Sequence, residues 1–225
     1  MKILGIDTST RFLCLGIYDG PKFYGYNLEV GTKLSLLLIP TIERVLEAAG
    51  LSLKDIDYFA SGIGPGSFTG LRVGLAAIKG LSFALRKPVL AISTLDILAR
   101  NICATDKYII PLIDAKRNLI YTAFYKINGQ TFQRVSAYML FSEQEFLKKA
   151  KNNAVFLGDG LSLFQQGIIL NKKAAQILDK DYWYPKPQHL MQAALEKIKH
   201  KDFVDSSALQ ALYLYPKECQ IRAKD

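Results

Sequence analysis

Three stretches of this chain carry residues whose types and spacing could do chemistry, and each also has a plain structural reading. Gly64-Pro65-Gly66-Ser67-Phe68-Thr69-Gly70-Leu71-Arg72-Val73-Gly74 lies where a strand ends and a helix begins. Proline fixes one dihedral, glycines permit close approach, and Ser67 or Thr69 can cap the helix. Free N–H groups at a helix start can hold a phosphate. The stretch nevertheless lacks the GK[ST] ending of a P-loop and any G-x-G-x-x-G fingerprint, so a structural turn is the reading local chemistry favours. Asp7 closes the first strand and Asp114 is its counterpart. Either could bind Mg²⁺ or orient water, although an aspartate bonded to its own hairpin backbone is the commoner arrangement. Gly158-Asp159-Gly160 reads as a turn with weak phosphate-loop character. His189 and His200 form no H-E-x-x-H pair, Cys14, Cys103 and Cys219 include no C-x-x-C, and G-x-S-x-G is absent. The sequence therefore assigns no catalytic residue, no cofactor-binding residue and no metal ligand.

These residues need elements to position them. Strands are expected over 2–7, 12–18 and 22–28, with turns at Thr8-Ser9-Thr10 and Asp19-Gly20-Pro21. A helix over 32–49 closes at Gly50. Strand 58–63 leads through the glycine-rich turn into a helix ending near Arg86, and strand 89–92 is followed by a helix that Ser93 or Thr94 caps. Ile113-Asp114 with Arg117, a strand over 119–126 and the turn Asn128-Gly129 echo Ile6-Asp7, Arg11, the second strand and Asp19-Gly20. The echo points to two copies of one supersecondary unit. Beyond it, Ser142-x-x-Glu145 is a capping box, 154–157 is a strand, 181–188 a loop and 190–199 a helix. This is an α/β pattern with mixed sheets in two lobes, 1–103 and 104–225, the second abbreviated.

Both long helices of the first lobe carry more apolar surface than one sheet needs. Apolar residues of the first spread over about 200° of its circumference, roughly twice the usual width. In the second, Arg72, Lys79 and Arg86 form one narrow charged stripe, and all else is apolar or small. Either the helices are sandwiched within their own domain or they meet a partner. For the second case the interface is expected at Leu34, Leu38, Thr41, Ile42 and Val45 of the first helix, and at Gly70, Leu71, Gly74, Leu75, Ala77, Ile78 and Leu81 of the second. Leu38→Glu or Gly74→Arg would then abolish association and spare the fold.

With 225 residues, 50% of them hydrophobic, the chain has ample material for a core, which excludes disordered and disulfide-scaffold classes. No uncharged run approaches the roughly 18 residues of a membrane helix, because Lys79 interrupts 73–85. A soluble, cytoplasmic protein is expected. The formal charge of +9 invites a polyanionic partner, but residues 1–100 carry 11 basic and 8 acidic side chains and the rest 18 and 12, so the excess is diffuse.

Gly5-Ile6-Asp7-Thr8-Ser9, the stretch Gly64 to Gly74, and Ile113-Asp114-Ala115-Lys116-Arg117 followed by Tyr121 resemble the TsaB (YeaZ) family, with Gly158-Asp159-Gly160 in weaker support. The resemblance spans nearly the whole chain and is strongest over 1–126. It implies the two-lobed actin, Hsp70 and sugar-kinase fold and a role in making N6-threonylcarbamoyladenosine at position 37 of transfer RNAs. In that family the metal-bearing relative TsaD catalyses threonylcarbamoyl transfer. TsaB is its noncatalytic activating partner, without cofactor, and the ATPase TsaE joins the assembly. The resemblance further implies a TsaD contact through helices 33–49 and 69–86, a TsaB homodimer when TsaD is absent, indirect engagement of tRNA and no membrane. Leu34-Ser35 stands where the family commonly has His-Ser. An ATP-binding enzyme of the same fold is the alternative, with Asp7 and the turn at 64–70 beside the nucleotide.

Overall fold

The computed structural model describes residues 1–129 and 131–215, and Cys219 lies outside them. Strands β1 (Lys2–Asp7), β2 (Phe12–Asp19) and β3 (Lys22–Glu29) form an antiparallel meander. Helix α1 (Leu34–Ala48), β4 (Tyr58–Gly62), α2 (Phe68–Leu85), β5 (Val89–Ile92) and α3 (Thr94–Ala99) complete the first unit. The sheet runs β3-β2-β1-β4-β5, with β4 parallel to both β1 and β5. β1 is apolar without alternation because both of its faces are covered.

The second unit repeats this path. It contains β6 (Tyr108–Lys116), β7 (Leu119–Thr122), β8 (Tyr125–Asn128), β9 (Thr131–Arg134), β10 (Met139–Ser142), α4 (Glu143–Lys149), β11 (Ala154–Leu157), α5 (Leu161–Asn171), β12 (Gln176–Ile177) and α6 (Pro187–Lys199). Its sheet runs β10-β7-β6-β11-β12, the same order with the β8–β9 hairpin added beside β6. The chain is thus a two-lobed α/β protein with a duplicated mixed sheet, the architecture that the resemblance implies. The abbreviation of the second lobe lies in its helices and edge: α4 has 7 residues against 15 in α1, and β12 has 2.

Two local expectations need correction. The strand expected over 119–126 is broken at Ala123-Phe124. There Phe124 leaves the first pairing, its N–H donating to Ser136 Oγ at 2.8 Å and its carbonyl accepting from Val135 N at 2.7 Å. Helix α5 was not expected at all. Its outward positions Leu163, Ile169 and Leu170 are as apolar as the buried Leu161, Phe164 and Ile168, which erases the periodicity.

The lobes exchange helices, so a single boundary near residue 103 does not describe their packing. α3 buries Leu95, Leu98 and Ala99 with Ile109, Ile113, Tyr125 and Leu157 of the second lobe. α6, from the C-terminal half, buries Leu190, Met191, Ala193 and Ala194 against Ile3, Cys14, Ala60 and Leu90 of the first sheet. A row of paired glycines, Gly5, Gly16 and Gly25, crosses β1, β2 and β3 and makes room for α6. A Cβ on any of the three would meet Met191, Phe23 or Pro187 of that packing. The chain then returns along α2: Val204 bridges to Val89, and Leu212 N donates to the Ile63 carbonyl at 2.8 Å. Residues 187–212 therefore belong structurally with the first lobe, which corrects the expected division at 103/104.

α1 and α2 lie together on the other face of the first sheet, over a core that includes Leu4, Ile6, Leu13, Leu15, Ile17 and Phe59. By length and composition α2 is apolar enough to cross a membrane, with a mean hydropathy of 1.3 despite Arg72 and Lys79. Core helices pass the same test, and here one side of α2 packs on the sheet, with its two charges interrupting any uncharged run.

Candidate partner-binding face and the cleft between the lobes

The expected interface residues sit mostly in the chain's own core. Leu34, Leu38, Thr41 and Ile42 of α1 and Gly70, Leu71, Gly74, Leu75 and Ile78 of α2 are buried, while Val45, Ala77 and Leu81 are half-buried. The first nine of these twelve positions thus contribute chiefly to the chain's own core, their side chains or backbone meeting the sheet and its turns. The glycines serve the turn after β1. A Cβ on Gly70 would overlap the Thr8 carbonyl oxygen and one on Gly74 would overlap Thr8 Oγ1, which itself donates to the Gly70 carbonyl at 2.8 Å.

What α1 and α2 do present outward is a different apolar set. Leu36 is 74% exposed and Phe83 79%, with Ile39, Pro40, Phe68, Ala76, Gly80 and Ala84 also exposed. Pro40 has no N–H to give the carbonyl of Leu36 one turn earlier, and both residues are exposed. Arg72 stacks over Phe68 at 3.8 Å from the ring centroid. Beside Phe83 an open groove of about 1220 Å³ runs between the end of α2 and residues 203–207. Leu36, Ile39, Phe68 and Phe83 are the large apolar side chains that these two helices leave exposed, and the Phe68 ring also meets Tyr213 at 5.6 Å between centroids. Sequence reasoning passed over Leu36 and Pro40 because they fall on the charged side with Glu43 and Glu47; an apolar residue inside a charged stripe was the available signal.

The glycine-rich turn is held internally. Ser67 N–H donates to the Ser9 carbonyl at 2.7 Å, Gly70 N–H to Ser67 Oγ at 3.2 Å, and the Gly64 carbonyl accepts from Thr94 N at 2.8 Å. Asp7 is 1% exposed, and both its oxygens are engaged. Oδ1 accepts from Ser9 N and Ser9 Oγ at 2.8 and 2.6 Å, and Oδ2 accepts from Thr94 Oγ1 at 2.7 Å. Burial pushes its carboxyl above the usual range, against the opposing pull of those hydrogen bonds.

Across the cleft Asp114 repeats the arrangement, its Oδ1 accepting from Lys116 N at 2.7 Å and its Oδ2 pairing with Lys116 Nζ at 2.5 Å. Asp159 Oδ1 accepts from Asp114 N at 3.0 Å, and Gly160 N–H donates to the Leu112 carbonyl at 3.0 Å, so Gly158-Asp159-Gly160 ties β11 to β6. A magnesium nucleotide would need a carboxylate turned to the cleft. Asp7 is committed to Ser9 and Thr94 and Asp114 to Lys116, and the residues present do not fit that site. Among the described residues no group of three or more His, Cys, Asp or Glu could hold a metal ion. His189 is buried in α6 with Nδ1 at 2.9 Å from Gln192 Oε1.

Comparison with known proteins places the chain. A family model described as "TsaD: tRNA N6-adenosine threonylcarbamoyltransferase" matches residues 29–217. Among curated proteins, the threonylcarbamoyltransferase of Persephonella marina is 27% identical over 147 residues, with 42% of its length covered. The tRNA threonylcarbamoyladenosine biosynthesis protein TsaB of Bacillus subtilis is 31% identical over 172 residues, 75% of each chain, and TsaB of Haemophilus influenzae is 28% identical over 95% of this chain and 93% of its own. The chain belongs to the TsaB (YeaZ) family. A crystal structure of YeaZ from Pseudomonas aeruginosa shares the fold, with a TM-score of 0.82 at 22% identity over 94% of this chain and all of that one.

The cleft of this TsaB-family chain carries a stability signature. Burial, and secondarily the nearby Asp114 charge, raise Asp159 from 3.8 to about 6. A carboxyl whose folded value lies above its unfolded value contributes stability below about pH 4 that is lost as pH rises through 6. The shift of about 2 units corresponds to about 3 kcal/mol lost by pH 7. Asp159→Asn keeps a carbonyl oxygen for Asp114 N–H and cannot ionise. In urea unfolding it should exceed the parent by up to about 3 kcal/mol at pH 7, with the gain vanishing below pH 4. A constant difference across that range would contradict the assignment.

Proposed function

We propose that the chain is the noncatalytic partner subunit of the machinery that makes threonylcarbamoyladenosine in tRNA, binding and activating TsaD through the outward sides of α1 and α2. TsaE joins that assembly, tRNA is engaged through the complex, and in the absence of TsaD the same surface pairs two copies of this chain. The exposed set around Leu36, Ile39, Phe68 and Phe83 carries the reading, because it lies outside the core and leaves apolar area for a second protein. The family supports it: its members are named for biosynthesis of this nucleoside, beside a separately named transferase. So does the cleft, whose two turn carboxylates are occupied by Ser9 and Thr94 and by Lys116. Activation then needs no chemistry from this chain. A partner that binds the active arrangement of TsaD better than the inactive one shifts TsaD toward it by the difference in affinity.

Mixing the chain with its cognate TsaD and measuring the mass of the product tests the reading. A stable heteromeric complex is expected, together with faster threonylcarbamoyl transfer than TsaD gives alone. Separate species at every ratio would overturn it. Calorimetry of the isolated chain with ATP and Mg²⁺ addresses the enzyme alternative, which requires tight binding and turnover.

A further inference from the structure

The far end of the second lobe, remote along the strands from the turns of the cleft, gathers lysines that outnumber its acids: Asp106 stands beside Lys107, and Glu145 one turn before Lys149. Tyr108 opens β6 there, with Lys126 on the neighbouring β8 and Lys151 just before β11 on its other side. Their ammonium groups stand 4.3 and 5.7 Å from the centre of the Tyr108 ring. Lys107 reaches Gln176 Oε1 at 3.4 Å, Lys172 donates to the Ala150 carbonyl at 2.8 Å, and Lys149 lies over Phe141. Among the described residues none of these five lysines has a carboxylate within ion-pair distance. The chain holds no acid between Glu145 and Asp159, and none between Asp159 and Asp179.

Lysines at the ends of α4 and α5 complement those helix dipoles, which accounts for Lys149 and Lys172. It does not account for Lys107, Lys126 and Lys151, which lie on strands and loops. The duplicated fold supplies an internal control. At the same end of the first lobe, Lys2 opens β1 as Lys107 precedes β6, yet it pairs with Asp19 at 3.3 Å while its N–H donates to Asp57 Oδ2 at 2.8 Å. The fold thus tolerates paired charge at this end, whereas in the second lobe Asp106 forms no ion pair with the neighbouring lysines and is outnumbered by them. Unpaired cations held close together repel one another and favour a polyanion.

We infer that this lysine end of the second lobe is a contact surface for the phosphate backbone of transfer RNA. The inference rests on the proposed role in tRNA modification, which selects RNA over an anionic membrane, and on the spread of the lysines over several strands and loops rather than along one amphipathic helix. It adds a direct tRNA contact to an assembly in which the chain otherwise acts only through its partner.

The test uses the complex with TsaD and an unmodified tRNA transcript, read by fluorescence anisotropy across a salt series. Lys126→Glu, Lys149→Glu and Lys151→Glu combined should weaken tRNA binding at least about tenfold at 0.15 M salt and lower the slope of log K against log salt by about 2 to 3. Lys22→Glu with Lys54→Glu, on the first lobe, should leave both nearly unchanged. Unaltered affinity in the triple variant, with the complex intact, overturns the inference and spares the proposed function. Failure of the parent chain to join TsaD counts against the proposed function itself, and tRNA binding by the isolated chain then tests the lysine end alone. Loss of sedimentation with phosphatidylserine vesicles, at unchanged tRNA affinity, overturns it in favour of a membrane.

Discussion

A chain carrying Gly74→Arg is expected not to fold, rather than to fold and lose its partner. Gly74 faces inward from α2 onto the turn after β1, and Thr8, which it touches, is 1% exposed. A Cβ there would overlap Thr8 Oγ1, whose hydrogen bond to the Gly70 carbonyl fixes α2 against β1. Relief would require α2 to lift from Leu71, Leu75 and Ile78, all in the core. Overpacking of this kind costs about 1–3 kcal/mol when neighbours yield and more when they are backbone. A guanidinium driven into the same site adds the desolvation of a charge. Total stability of a domain is about 5–15 kcal/mol. Leu38→Glu, at a site 2% exposed, places a carboxylate in the same layer and should behave alike. Circular dichroism and urea titration of both variants check this: a cooperative transition near the parent midpoint in either would mean that the inner faces of α1 and α2 are not core.

That expectation reverses the one drawn from helical periodicity alone, and the reason is geometric. A wheel shows how wide an apolar arc is without showing which part of it meets the sheet. In α1 the inner strip is Leu34, Leu38, Thr41, Ile42 and Leu46, and the surplus lies at Leu36, Ile39 and Pro40. Glycine in α2 posed the same difficulty, since a small residue that admits another helix looks like one that admits a turn. Only coordinates distinguish Gly74, crowded by Thr8, from Gly80, with nothing within 4 Å of its would-be Cβ.

Local signals fared better where chemistry is specific to a position. β1, β5 and β11 begin and end where alternation and turn residues place them, the Glu145 carboxylate accepts from Ser142 Oγ and N at 2.7 and 2.9 Å, and Gly50 and Gly129 take positive φ. The echo between Asp7 and Asp114 likewise reflects a shared device, since each carboxylate accepts the N–H two residues on. Exchange of α3 and α6 between lobes was not legible, because a helix states which of its sides is apolar and not which sheet will cover it. The glycine row at Gly5, Gly16 and Gly25 was the trace it left, and it emerges only once β1, β2 and β3 are in register.

The outward side of the same helices supports the opposite class of variant. Gly80→Arg enters open space on α2, and replacing a helical glycine by arginine favours the helix by up to about 1 kcal/mol. Leu36→Glu and Phe83→Glu alter side chains that are 74% and 79% exposed, where substitutions rarely move stability by more than about 0.5 kcal/mol. All three should therefore unfold at or above the parent midpoint. If α1 and α2 seat TsaD, a charge at the centre of that contact leaves an uncompensated ion in an apolar seam. Central interface residues of this kind are worth about 2–4 kcal/mol, or roughly 30- to 1000-fold in affinity. Binding to TsaD, measured by titration calorimetry, should fall by at least 30-fold in each single variant and transfer activity of the mixture should fall with it. A homodimer using the same surface should dissociate in parallel. Parent-like TsaD affinity in all three, with the fold intact, would overturn the apolar side around Leu36, Gly80 and Phe83 as the contact, since the inner sides of both helices are already occupied by the sheet and the Thr8 turn.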